Sequence, residues 1–190
     1  MKKRCAWCGE DPLYLKYHDE EWGVPARDDK TLFEFIILEG AQAGLAWITV
    51  LRKREGYSAL FDDFDAQKIA RYSDKKLEKI LLDPRIIRNR LKVFGARKNA
   101  KAFLLVQKEF GSFANYLWGF VDNKPVQNTW KDMTNVPATT PTSDAMSKDL
   151  KKRGFTFVGS TIMYAHMQAT GMVNDHSVDC YRRTQCKKLA

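Results

Sequence analysis

Thr31-Leu32-Phe33-Glu34-Phe35-Ile36-Ile37-Leu38-Glu39-Gly40-Ala41-Gln42-Ala43-Gly44 reads as a helix that signals its own start. A threonine with a glutamate three residues on forms a capping box, which satisfies the orphaned N–H groups of a first turn. Apolar side chains then recur at steps of three and four, the period of a helix. The same period runs outward. Trp47–Tyr57, Ala66–Tyr72 and Lys75–Leu82 continue it as far as Asp83-Pro84, where the proline disfavours helical backbone in the residue before it. Beyond the break, Arg97–Phe110 and Ser112–Val121 read as helices and Asp122–Pro141, with three prolines, as a long loop. Ser143–Arg153 is a polar helix, and Val158–Thr170 a mostly apolar one that ends at Gly171, a residue type that turns helix C-termini. No alternating run marks a strand, and no internal repeat is present. The expected fold class is all-α.

The chain has 190 residues, 44% apolar and 29% charged, the balance of a globular protein large enough to bury a core. We expect one compact unit over residues 1–190, with a helical core spanning about 26–170 and flanking segments of about 4–25 and 171–190. The least charged stretch, Phe35–Leu51, is 17 residues and contains Glu39 and Gln42. A membrane span needs about 20 largely apolar residues, so no membrane partner is expected. The opening Met-Lys-Lys-Arg has no apolar run behind it to make a signal peptide, and the expected location is cytoplasmic.

Charge points to a partner. Thirty-two Lys and Arg against 23 Asp and Glu leave a net +9, a field suited to a polyanion such as nucleic acid. From Pro84 to Lys108 there is no acid but there are eight bases: Arg85, Arg88, Arg90, Lys92, Arg97, Lys98, Lys101 and Lys108. A solvated helix usually mixes signs, so a one-signed stretch favours phosphate binding over mere solubility.

Four cysteines sit at the two ends, Cys5 and Cys8, then Cys180 and Cys186. Without a secretory signal a disulfide framework is not expected. Cys5 and His18 with His176 and Cys180 make a Cys₂His₂ set, and the four-residue step from His176 to Cys180 would present both from one helical turn. Such a site would staple the ends together. From spacing alone Cys8 and Cys186 compete as ligands. The third histidine, His166, lies in an apolar helical run and reads as packed or surface-exposed.

Glu39 is the acid that patterning singles out. On the Thr31–Gly44 helix it shares a face with Leu32, Phe35, Ile36 and Ala43, so its carboxyl is expected to be partly desolvated, which costs free energy unless it is paired or lines a cleft. A salt bridge to a nearby base is the competing fate. Trp7, Tyr14, Tyr17, Trp22 and Trp47 stand close in sequence. Aromatics mostly fill cores, but beside a lone acid in a basic protein they also suit a pocket for a planar base.

Several segments resemble the DNA-3-methyladenine glycosylase I family: Arg4–Trp7, Asp11–Tyr14, Tyr17–Pro25, Leu38–Trp47, Ile86–Lys92, Ser147–Phe155, Phe157–Gly159 and Val173–His176, in colinear order over about residues 4–180. The resemblance implies a helix-hairpin-helix glycosylase fold with a structural zinc ion held by Cys5, His18, His176 and Cys180. It implies an aromatic pocket in which Trp47 and Tyr17 flank 3-methyladenine, Glu39 reads the base, and Trp7, Tyr14 and Trp22 are neighbours. It also implies a hairpin within Arg85–Lys92 whose backbone holds DNA phosphate, with Arg88, Arg90 and Lys92 on the DNA side. Gln42 and Leu45 would fill the gap left by the flipped nucleotide. Asp83-Pro84-Arg85 departs from the family pattern, which has a glycine just before Ile86.

The implied partners are alkylated double-stranded DNA and free 3-methyladenine as product, with a monomer the simplest state. Methylation at N3 makes the adenine cationic and weakens its bond to the sugar, so recognition and extrusion outweigh strong acid catalysis. Stacking of that cation on Trp47 is worth roughly 0.5–2 kcal/mol. No lysine nucleophile is indicated, so the expected enzyme is a monofunctional hydrolase without lyase activity. The alternatives are an alkylpurine glycosylase of broader range and a non-enzymatic DNA-binding module on the same fold.

Overall fold

The computed structural model describes residues 2–189. A single turn of 3₁₀ helix at Ala6–Cys8 leads into α1 (Pro12–Glu20), followed by α2 (Asp29–Gln42), α3 (Trp47–Leu51) and α4 (Arg54–Leu60). Then come α5 (Ala66–Ile69), α6 (Asp74–Leu81), α7 (Arg90–Phe110) and α8 (Phe113–Trp118). The chain ends with α9 (Pro141–Lys152), α10 (Ser160–Ala169) and α11 (Tyr181–Lys188). The all-α expectation holds, with one exception inside the long loop. There Val126–Gln127 (β1) pairs in parallel with Val173–Asn174 (β2), too short for periodicity to reveal.

Several boundaries shift for local reasons. The helix read from Thr31 begins at Asp29, because the Asp28 side chain accepts from Thr31 N–H at 2.8 Å and takes the capping role. The helix read over Trp47–Tyr57 breaks at Arg52 and Lys53 into α3 and α4. The helix expected from Arg97 begins at Arg90, capped by Asn89, whose side chain accepts from Lys92 N–H at 3.1 Å. A true capping box forms instead at Thr140 and Ser143, which opens α9.

α2 is the central strut. Leu32, Phe33, Ile36 and Leu38 are buried on it, and it packs against α7, α8 and α10. A helix covered on most sides is apolar on most sides, and here that makes the acid at position 39 stand out.

The α6–α7 turn needs no glycine before Ile86. Asp83 accepts from Arg85 N–H at 2.9 Å and pairs with its guanidinium, and no residue of the turn has a positive φ. The close approach lies elsewhere: a Cβ on Gly56 would stand 2.4 Å from the Arg85 carbonyl oxygen, so the turn rests directly on α4. At Gly171 φ is +68°, and a Cβ there would stand 2.4 Å from the Val24–Pro25 peptide. That contact docks the segment before α2 on the end of α10, where Ala26 N–H also donates to the Thr170 carbonyl at 3.0 Å.

Candidate functional site

A cavity of about 320 Å³ opens where the N-terminal segment meets α2 and α10. Trp7 comes from the 3₁₀ turn, and Tyr14 and Tyr17, one helical step apart, from the inner face of α1. Trp22 follows α1, Glu39 and Gln42 lie one step apart on α2, and Trp47 opens α3. The structure therefore gathers all five aromatic residues singled out from the sequence around Glu39. Their rings interlock: Trp7 meets Tyr14 and Trp22 at centroid distances of 5.1 and 4.9 Å, and Tyr17 meets Trp47 at 5.4 Å. Phe35, behind the wall, lies nearly parallel to Trp47 at 6.2 Å. Trp7 Nε1 and Trp47 Nε1 are buried without an acceptor among the described residues.

Glu39 is 4% exposed and forms no ion pair among the described residues. The nearby Arg54 is bonded to Glu21 and Glu34 instead. Burial pushes the Glu39 carboxyl up to about 8, so in an empty cavity it holds a proton at neutral pH. A cation placed against it would favour the carboxylate. Burial, with the Glu39 charge as a further cause, also raises the Tyr17 phenol well above its ordinary range, which keeps it a neutral donor.

The Cys₂His₂ set is also assembled. The ligand atoms of Cys5, His18, His176 and Cys180 lie within 4.8 Å of one another, all four residues buried. Sulfur–nitrogen distances are 3.4–3.5 Å, the edge of a tetrahedron whose centre is about 2.3 Å from sulfur and about 2.0 Å from nitrogen. The outward ring nitrogens are held as metal-binding histidines require: His18 Nδ1 bonds Asp19 at 2.8 Å and His176 Nε2 bonds the Trp22 carbonyl at 3.0 Å. Arg4 clamps Asp19 bidentately through one guanidinium edge, Nε and Nη2. This group fits a bound metal ion. Cys8 instead donates to the Cys5 carbonyl at 3.0 Å. One expectation is corrected: His176 and Cys180 are not on a helical turn. Cys180 N–H donates to Ser177 across an irregular turn, and α11 starts only at Tyr181.

A model of the methyladenine glycosylase family matches residues 7–183. The chain belongs to that family. It is 49% identical to DNA-3-methyladenine glycosylase 1 of Escherichia coli (strain K12) over 178 residues, 94% of this chain and 95% of that one. It is 47% identical to DNA-3-methyladenine glycosylase of Haemophilus influenzae over 184 residues, 97% and 100% of the two chains. A structure of 3-methyladenine DNA glycosylase I from Staphylococcus aureus, described as showing 3-methyladenine recognition, superposes with a TM-score of 0.92 at 34% identity, covering 95% of this chain and 96% of that one.

In this methyladenine glycosylase the basic stretch is only partly free. Arg90 pairs with Glu78 and Arg97 with Asp74, both acids of α6. Lys92 Nζ donates to the Ala41 and Ala43 carbonyls at 2.8 and 2.7 Å, tying down the end of α2. Arg88 is exposed and has no ion-pair partner among the described residues. Leu45 is 38% exposed at the α2–α3 turn, so it is not ordinary core, and Gln42 Nε2 braces that turn by donating to its carbonyl at 2.9 Å. His166 is packed, fully buried against the Leu32 carbonyl.

Sequence reading missed Met133, Val136, Ala165 and Gln168 in the cavity wall. The first two come from the long loop, which carries no periodic signal. Ala165 and Gln168, one helical step apart on α10, could have been found by extending to that helix the same-face test applied to α2.

Proposed function

We propose that this chain hydrolyses the N-glycosidic bond of 3-methyladenine in alkylated double-stranded DNA, after flipping the nucleotide into the cavity. One observation carries the reading: an acid buried without an ion partner, inside an aromatic-walled cavity large enough for a purine. The N3-methylated nucleotide brings a positive charge to that acid, while neutral adenine does not. We read the enzyme as a monofunctional hydrolase; the acid among the described lining residues is Glu39. The N–H groups of Arg88, Arg90 and Leu91 have no acceptor among the described residues, which supports phosphate binding at an α6–turn–α7 hairpin. Exposed Leu45 beside Gln42 suits the role of wedge in the emptied duplex.

For the metal, two thiolates and two imidazoles in a closed, buried set favour structural zinc. Bound there, zinc would fasten the two terminal segments and supply no reaction chemistry. On this reading the chain works as one unit, a cytoplasmic monomer.

The deciding experiment is chromatography of the bases released from methylated duplex DNA by the wild type and by Glu39→Gln. Release of 3-methyladenine alone, sharply reduced in the variant, is expected. Release of 7-methylguanine as well indicates the broader enzyme. No release by the folded, metal-loaded protein leaves a DNA-binding module.

A further inference from the structure

Gln168 is a polar residue of the cavity wall to which the reading above gives no task. Its amide nitrogen donates to Asp175 Oδ2 at 2.9 Å. Asp175 is completely buried, and each of its oxygens takes two hydrogen bonds. Oδ1 accepts from Asn128 Nδ2 at 2.6 Å and Trp130 Nε1 at 2.8 Å, and Oδ2 from Tyr164 Oη at 2.6 Å as well as from Gln168. An indole N–H can only donate and a carboxylate can only accept, so as a carboxylate Asp175 is the acceptor in all four bonds. The amide of Gln168 must then turn its nitrogen toward Asp175 and its oxygen away. That oxygen receives no donor from the described residues, on a half-buried side chain in the cavity wall.

We propose that Gln168 is a specificity-determining residue of the base pocket, presenting a fixed acceptor to the purine edge, with Asp175 as the residue that positions it. The inference rests on the reading of the cavity as a purine site. A fixed acceptor welcomes the exocyclic amino group of an adenine and repels the carbonyl that a guanine carries at the same ring position. Glu39 cannot make that distinction alone: protonated, it donates to a carbonyl, and ionised, it accepts from an amine. Asp175 has a second hold on the cavity. Through Asn128 and Trp130 it anchors the start of the loop that delivers Met133 and Val136. One carboxylate thus fixes two walls.

The test is the binding of two free bases, 3-methyladenine and 3-methylguanine, followed by tryptophan fluorescence in the wild type, Gln168→Met and Asp175→Asn. The two bases share the N3 methyl group and differ at the position facing the proposed acceptor and at C2, where guanine alone carries an amino group. The change of their ratio between the wild type and Gln168→Met is therefore the quantity read. In the wild type 3-methyladenine is preferred. In Gln168→Met the preference narrows at least tenfold, with the urea midpoint near that of the wild type. Asp175→Asn supplies a donor where Gln168 met an acceptor, so the amide can turn over and the preference narrows further. If Asp175→Asn does not fold, Gln168→Met still decides. An unchanged ratio in Gln168→Met, with the wild type binding 3-methyladenine, overturns this proposal alone. A wild type that binds neither base overturns the purine-site reading together with it.

Discussion

Tyr17 and Trp47 touch, their ring centroids 5.4 Å apart and their planes inclined by 47°. A flat base held between two parallel rings would need them about 7 Å apart, two van der Waals contacts of about 3.5 Å each. The pair as it stands therefore offers a base one ring face and one ring edge, and a sandwich would require one ring to swing. Tyr17 is buried and packs on Phe35 and Trp7 as well, whereas Trp47 is only half-buried, so Trp47 is the ring with room to move.

Trp47→Ala should accordingly weaken binding of free 3-methyladenine by about 10- to 100-fold, the loss of a stacking face worth roughly 1–3 kcal/mol. Tyr17→Phe keeps the ring and loses only the hydroxyl, so it should cost less. Isothermal titration of both variants checks the order, and a larger loss in Tyr17→Phe would show that the hydroxyl and not the stack dominates.

Stability should depend on pH through Glu39. Its carboxyl moves from an ordinary 4.5 to about 8 in the folded protein, so the folded state binds this proton more tightly than the unfolded state does. The associated stabilisation is complete below about 4.5 and declines as pH rises, by up to about 1.4 kcal/mol per unit. Above about 8 it is gone. Urea unfolding at pH 5.5, 7 and 8.5 should show the decline in the wild type and a flatter profile in Glu39→Gln, which should be the more stable protein at the alkaline end.

Removing the metal should loosen the cavity and not only the ends. Trp7 packs on His18 at a centroid distance of 5.4 Å and Trp22 on His176 at 4.6 Å, so cavity walls and ligands are one cluster. One zinc per chain is expected by elemental analysis. Chelation, or Cys180→Ser, should lower the melting temperature by several degrees and weaken base binding in parallel. Cys8→Ser should retain the metal.

Two bases of the one-signed stretch should behave differently. Lys92→Met should destabilise the protein by about 1–3 kcal/mol, since two carbonyls at the end of α2 lose a charged donor, while hardly changing the salt dependence of DNA binding. Arg88→Ala should leave stability intact and reduce the salt slope by about one. Fluorescence anisotropy at several salt concentrations separates the two.

Much of this was legible in the sequence. The acid on the apolar face of α2 and the five aromatics come together as patterning suggested. Cys5 and Cys180 join His18 and His176 as the family resemblance implied, where spacing alone left Cys8 and Cys186 open. What the chain's periodicity could not show was competition among neighbours. Asp28 caps the helix by accepting from the Thr31 N–H, which leaves Thr31 inside the first turn. Asn89 starts α7 early, and Lys92 serves the Ala41 and Ala43 carbonyls instead of solvent. The one-signed run looked free because its partners, Asp74 and Glu78, lie on the preceding helix. Asp175 was invisible as a hub because its four donors come from two separate segments, the long loop and α10.

The cluster of Cys5, His18, His176 and Cys180 also orders events in time. A ribosome releases the segment bearing Trp7, Tyr14 and Tyr17 first, and at roughly 5–20 residues per second that segment waits about ten to thirty seconds for its partners to emerge. Until residue 180 is made, those rings are held only by contacts such as Asp11 with Arg52 and Glu21 with Arg54, without the four-residue cluster behind them. A nascent chain can therefore build its helical middle before its cavity has its back wall fixed.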